Sequence, residues 1–197
     1  MTLLHFFRGL VALLIFVIPA TALSGASFLF VFHRSGPTAS VFDAETLQPV
    51  AAPVVGHGAF AAFGIPGRAA AGFEKFYVVS DSSVVVLDSD FAPRGTVFLP
   101  EGVPGLLSRA ITPAATLTPD NRRLLIVSRD RLYILDTAED SLAAVLDLGF
   151  VASGVAASGD SAHVYLASPN SNLIRRVDLT SNELEQVGLT TIRLTVE

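Results

Sequence analysis

"RRLLIVSRDRLYILDTAEDSLAAVLDLG", Arg122–Gly149, sets two short apolar runs around the charged break Arg129–Asp130–Arg131 and follows them with a third run. "LLIVS" and "LYILD" are rich in β-branched and aromatic residues and end in Ser or Asp, which is the signature of strands. A helix needs a longer run with a 3.6-residue period, and no such run follows the N-terminal segment. The breaks suit tight hairpins, because Ser, Asp and Asn side chains bond their own backbone.

The arrangement recurs. "ASFLFVFHRSGPTASVFDAETLQPVAAPVVGHG" starts at Ala26, "EKFYVVSDSSVVVLDSDFAPRGTVFLPEG" at Glu74 and "SAHVYLASPNSNLIRRVDLTSNELEQVGL" at Ser161. The second run of each unit ends in aspartate, at Asp43, Asp88, Asp136 and Asp178, so the intervals are 45, 48 and 42 residues. A period in the forties built of short strands indicates an array or a propeller. The four aspartates read as structural turn residues, each starting a hairpin through an Asx-turn.

A lead-in of small residues precedes three of the units: "GAFAAFGI" from Gly58, "AITPAATLTPD" from Ala110 and "FVASGVAASGD" from Phe150. The turn "TPDNRR", Thr118–Arg123, carries Pro at its second position, a type I signal. Each unit is therefore four strands, with a small-residue inner strand, two central apolar strands and a more polar outer strand. The central runs are apolar at consecutive positions, which calls for cover on both faces. Blades stacked radially provide that cover. The expected fold class is all-β, a β-propeller of about four four-stranded antiparallel blades, as a small ring or part of a larger one. The expected blades are 27–56, 57–104, 105–149 and 150–188, and the first lacks an inner strand. The tail "TTIRLTVE" alternates Ile192, Leu194 and Val196 with polar residues, so residues 189–197 read as a strand that closes the ring or begins a fifth blade. An open arc would expose two apolar blade faces and predicts self-association.

Composition bounds the partners. Of 197 residues, 51% are hydrophobic and 16% charged, far from a disordered chain. The net charge of −5 and only 13 Lys and Arg leave no basic stripe for a phosphate backbone, so nucleic acid is not an expected partner. The absence of cysteine excludes disulfides, thiolate nucleophiles and Cys-based zinc sites.

"MTLLHFFRGLVALLIFVIPATALSGAS" opens with the single cation Arg8, continues with the uncharged run Leu10–Ile18, and then shows Pro19 and the triplet Ala20–Thr21–Ala22. That is the order of a signal peptide, expected as a helical segment over 1–26, with a second cut site after Ala26. The other reading is a retained anchor, since no charge stands between Arg8 and His33. Cleavage places the protein outside the cell, in a periplasm or on the cell surface. Retention anchors it in the membrane.

The repeat resembles the YVTN type of β-propeller repeat, described by "VGxGPxxVAxSPDGKRLYVANSxxNTVSVIDTATG". The resemblance is carried by "VGHGAFAAFGIP" (55–66) with "KFYVVSDSSVVVLDSD" (75–90), by "ATLTPDNRRLLIVSRDRLYILDTAED" (115–140) and by "AASGDSAHVYLASPNSNLIRRVDLTSNE" (156–183). It covers roughly Ala26 to Leu189. The departures are the Gly/Ala-rich stretch Gly64–Gly72 and the loop "PEGVPGLLSR", Pro100–Arg109, both expected as rim excursions. Similar propellers include lactonases and quinoprotein or amine dehydrogenase subunits.

Little chemistry is signalled. His33, His57 and His163 show no metal-ligand spacing, and no nucleophile elbow, P-loop or dinucleotide motif is present. Asp130, Glu139, Asp140 and Asp160 fall in expected turns. Adjacent Arg175 and Arg176 on one strand must face opposite sides of a sheet. No catalytic residue, metal ligand or cofactor is indicated. The expectation is a non-catalytic scaffold that binds a protein or surface glycan through its loops; the alternative is an enzyme of the lactonase or quinoprotein kind.

Overall fold

The computed structural model describes residues 15–18, 27–33, 36–67, 72–80, 82–100, 114–168, 174–181 and 183–185. Among them are sixteen strands and no helix. They form four sheets, each a four-stranded antiparallel meander in chain order. The first contains β1 (Ile15–Ile18), β2 (Phe28–Phe32), β3 (Ala39–Asp43) and β4 (Pro49–Ala51). The second contains β5 (Ala61–Pro66), β6 (Phe73–Val79), β7 (Ser83–Asp88) and β8 (Pro93–Phe98). β9 (Ala114–Leu117), β10 (Arg123–Ser128), β11 (Arg131–Asp136) and β12 (Ser141–Asp147) make the third. The fourth is β13 (Gly154–Ala157), β14 (His163–Ala167), β15 (Ile174–Asp178) and β16 (Glu183–Glu185).

Register makes the four sheets superposable in sequence. Asp43, Asp88, Asp136 and Asp178 stand opposite Phe28, Lys75, Arg123 and His163, the residues that lie on the second strand of each sheet at the same level. From that shared origin every position of one sheet has a counterpart in the others.

The chain divides into two compact units, Met1–Thr96 and Val97–Glu197. In the first unit, Phe30, Phe32, Ala39 and Val41 of one sheet pack against Ala62, Phe76, Val78, Val85 and Leu87 of the next, with Phe91 between them. This contact is largely aromatic. Phe76 and Phe91 stack with ring centroids 4.8 Å apart, and Phe28 meets Phe91 edge-on at 4.9 Å. Such geometry adds about 0.5–1.5 kcal/mol per pair beyond burial. In the second unit the equivalent contact is aliphatic: Leu125, Val127, Leu132 and Ile134 against Val164, Leu166 and Val177.

The central strands β6, β7, β10 and β11 have runs of consecutive buried residues, so both of their faces are covered. That is the physical reason their sequences do not alternate. β12, an outer strand, alternates between exposed and half-buried positions along its whole length.

Three expectations are corrected. Ile15–Ile18, expected as part of a helical signal segment, is a strand paired with Phe28–Phe32 from Ile15–Val31 to Ile18–Phe28. A β-branched apolar tetrapeptide suits a strand as well as a signal helix, and the free edge of β2 offers it hydrogen bonds. The first sheet consequently has an inner strand, ahead of residue 27. Gly64 and Ile65, which end the expected lead-in strand "GAFAAFGI" and also begin the stretch expected as a rim excursion, belong with Pro66 to β5. Residues 68–71, most of the 100–109 loop and the tail 189–197 lie outside the described residues.

Candidate functional site

The candidate site is built by turns. At each aspartate the chain leaves a central strand, and the carboxylate accepts N–H groups of the turn it starts. Asp43 Oδ1 accepts from Glu45 and Thr46 at 3.0 and 2.7 Å, and Asp88 Oδ1 from Asp90 and Ala92, both at 2.9 Å. Asp136 Oδ1 accepts from Ala138 and Glu139 at 2.7 and 3.1 Å, and Asp178 Oδ1 from Thr180 and Ser181 at 2.6 and 3.1 Å. The Thr46 N–H, its hydroxyl and the Glu45 N–H hold the Asp43 carboxyl below its usual range against slight desolvation. The N–H groups of Thr180 and Ser181 do the same for Asp178.

A second set of turns lies on the same edge of the second unit, between the inner strands and their neighbours. In "TPDNRR" the Thr118 hydroxyl donates to Asp120 Oδ1 at 2.6 Å and accepts the Arg123 N–H at 3.0 Å. In "SGDSAH" the Ser158 hydroxyl donates to Asp160 Oδ1 at 2.5 Å and accepts the His163 N–H at 2.9 Å. The two turns match further: Asn121 and Ser161 take the same left-handed backbone, at φ 59° and 61°. Burial pushes the Asp120 carboxyl up, but the Thr118 hydroxyl, the Arg122 N–H, the Ser161 hydroxyl and the Arg122 charge together bring it below the usual range. Asp160 is lowered chiefly by the Ser158 hydroxyl.

These turns are tied to one another. The Asp120 N–H donates to Ser161 Oγ at 3.0 Å, bridging the third and fourth sheets. The Arg123 guanidinium donates to the Leu179 carbonyl across the same boundary. Within the third sheet the Thr137 N–H bonds the Arg122 carbonyl at 3.0 Å, and His163 Nε2 lies 3.9 Å from Asp178 Oδ2 in the fourth. The result is a fixed polar rim from which Pro119, Arg122, Ala138 and Glu139 project into solvent.

The other residues singled out from the sequence are scattered. His33 is exposed, its Nε2 2.9 Å from Ser40 Oγ, and His57 is exposed in a turn between Gly56 and Gly58. Asp130 is exposed in the β10–β11 hairpin, while Asp140 takes φ 50° in the turn that Asp136 starts. Arg175 lies over the Phe150 ring at 4.5 Å on the core side, and Arg176, one position on, faces the other way. Among the described residues no group of three His, Asp or Glu is arranged to hold a metal ion. Sequence reasoning missed Thr118, Ser158 and the two inter-sheet bonds. The shared pattern of Ser or Thr followed two residues later by Asp was the signal for the first two.

No family model matches the chain, and no characterised protein matches it by sequence. Solved structures match its fold. The Kuenenia stuttgartiensis hydrazine synthase superposes with a TM-score of 0.64 at 16% identity, over 80% of this chain and 44% of that one. This chain folds as β-propeller blades. The Neurospora crassa Pan2 WD40 domain superposes with a TM-score of 0.59 at 13% identity, over 80% of this chain and 45% of that one. A putative 6-phosphogluconolactonase of Bacteroides fragilis gives 0.59 at 15% identity, over 81% and 50%. This chain therefore spans half or less of these propeller-bearing chains.

Proposed function

We propose that the chain is an exported propeller of the YVTN repeat type whose rim binds a protein or a surface glycan without catalysing a reaction. The observation that carries this reading is the use of the rim carboxylates. Asp120, Asp136, Asp160 and Asp178 each accept backbone N–H groups of their own turns through Oδ1. Asp120, Asp160 and Asp178 also ionise more readily than usual, which suits an acceptor that holds a loop and does not suit a general acid. Loops held this way lose little conformational freedom when a partner docks, so contact energy is retained as affinity. Export rests on the order of parts in residues 1–26, and cleavage there takes β1 off the first sheet and leaves β2 at its edge.

The test uses the purified chain on a support, probed with the cell-surface fraction of its source and with a glycan array. The expected result is a reproducible partner retained by the native chain and lost by the Arg122→Glu, Glu139→Lys double variant. Failure to retain any partner, or equal retention by the double variant, overturns rim binding. Export is read separately from the intact mass of the protein recovered outside the cytoplasm: a chain starting at Leu23 or Ser27 supports it, and a chain starting at Met1 refutes cleavage.

A further inference from the structure

β2 has two edges, and they are held differently. β3 takes one of them, from Phe28 opposite Asp43 to Phe32 opposite Ala39, and belongs to the same hairpin. Among the described residues β1 alone pairs with the other, antiparallel, with Ile15 opposite Val31, Phe16 opposite Phe30, Val17 opposite Leu29 and Ile18 opposite Phe28. A cut after Ala22 or Ala26 separates Ile15–Ile18 from the rest of the chain. The backbone N–H and C=O groups that Phe28–Val31 direct to that side then lose their partners.

An edge with unpaired backbone groups is a template for a further strand. Its surroundings state which strand fits. β2 reads Phe-Leu-Phe-Val-Phe, and β5, which lies next to β1, reads Ala-Ala-Phe-Gly-Ile-Pro, so neither carries a charge. On one face of β2, Phe28 and Phe30 meet the rings of Phe76 and Phe91 at centroid distances from 4.9 to 5.9 Å. Leu29 and Val31 stand on the other face. A strand on this edge sets its alternate residues beside these two groups, where a charged side chain would lose water and gain no counterion. The segment seated there, Ile-Phe-Val-Ile, is uncharged throughout.

Resting on the cleavage read from residues 1–26, we infer that the processed chain binds an extended, uncharged apolar segment of a partner protein along the β2 edge. β1 is the placeholder that keeps this edge closed before processing. The partner segment adds antiparallel to β2 in the register that β1 takes. Backbone pairing supplies the attachment, and the two apolar faces select the sequence. The edge and its surroundings all lie within the first compact unit.

The probe is a fluorescent peptide of Leu14–Ile18 with lysines added for solubility, read by anisotropy. Two forms of the protein open the edge: the chain starting at Ser27, and the full chain carrying Phe16→Asp and Ile18→Asp, which is not shortened. Each should bind the peptide at least about tenfold more tightly than the unaltered full chain, and the bound peptide should slow amide hydrogen exchange across Phe28–Phe32. A peptide with Phe16→Asp should not bind. Both forms are made directly, so an exported protein that starts at Met1 refutes processing in the cell while peptide binding still reads the edge itself. Equal binding by the unaltered full chain, no binding by either opened form, or loss of cooperative unfolding in both overturns the inference. So does slow exchange across Phe28–Phe32 in the opened forms before peptide is added, since the protein's own chain or a second copy would then hold the edge.

Discussion

Asp178 shows how much a single carboxylate does in this fold. It ends a central strand, starts the next turn through two N–H bonds, and faces His163 across the sheet. Its carboxyl is lowered on folding, as are those of Asp43, Asp160 and Asp120. A group whose folded value lies below its unfolded value of about 3.9 leaves the unfolded chain binding more protons. The stability it contributes is complete above about pH 4 and disappears as pH falls through the folded value. The melting temperature should accordingly drop between pH 5 and pH 3, and Asp178→Asn, which keeps an acceptor oxygen but cannot titrate, should flatten that drop. An identical pH profile for the variant would remove Asp178 from the account. Leu47 makes a second residue-scale case, holding φ 56° while 63% exposed in the turn that Asp43 starts. A left-handed backbone costs a residue with a Cβ about 1–2 kcal/mol, and glycine, though more flexible when unfolded, adopts it freely. Leu47→Gly should therefore raise stability by about 0.5–1 kcal/mol, read from the urea midpoint. The turn aspartates were legible because they recur at a regular interval. The Arg123 bond to the Leu179 carbonyl was not, because it joins residues 56 apart and depends on how two sheets meet.

At the scale of the strand, legibility followed chemistry that the backbone enforces. Uninterrupted apolar runs such as Phe76–Val79 and Leu124–Val127 announced strands covered on both faces, and those residues are buried. Small-residue segments carried less information. Gly64 lies in a stretch whose composition resembles a loop, yet it pairs with Phe76 inside β5. Its reason for being glycine is close approach: a Cβ there would stand 2.4 Å from a ring carbon of Phe73. That ring packs on Phe76 at 5.0 Å and on Phe28 at 6.1 Å, so it cannot move without disturbing the aromatic contact between the two sheets. Gly64→Ala should destabilise the protein by about 1–3 kcal/mol, the usual cost of overpacking. Gly95 in β8 has nothing within 4 Å of such a Cβ, and Gly95→Ala should instead stabilise by about 0.4–1 kcal/mol through the unfolded chain. Opposite shifts of the two urea midpoints are the expected result. Shifts of the same sign would mean that the Phe73 ring gives way freely.

For the molecule as a whole, the sequence disclosed the number of repeating units and their strand content, because both are periodic, whereas Ile15–Ile18 carried no such signal: its composition suits a signal helix and a strand alike, and in the structure it is the fourth strand of the first sheet. The choice between scaffold and enzyme also belongs at this scale, since a propeller enzyme gathers polar groups from several blades, often around a cation. Calcium separates the two readings. A site with a dissociation constant near 10 µM, filled at 1 mM Ca²⁺, would add about 2.7 kcal/mol to stability by linkage. For a chain of this size that amounts to a rise in melting temperature of roughly 5–10 °C. Among the described residues one oxygen of each turn aspartate accepts N–H groups, and no three His, Asp or Glu converge. The expected shift on adding 1 mM Ca²⁺ is therefore below about 1 °C. A rise above about 5 °C that EDTA reverses would show a bound cation and would turn the functional reading toward a metal-dependent enzyme.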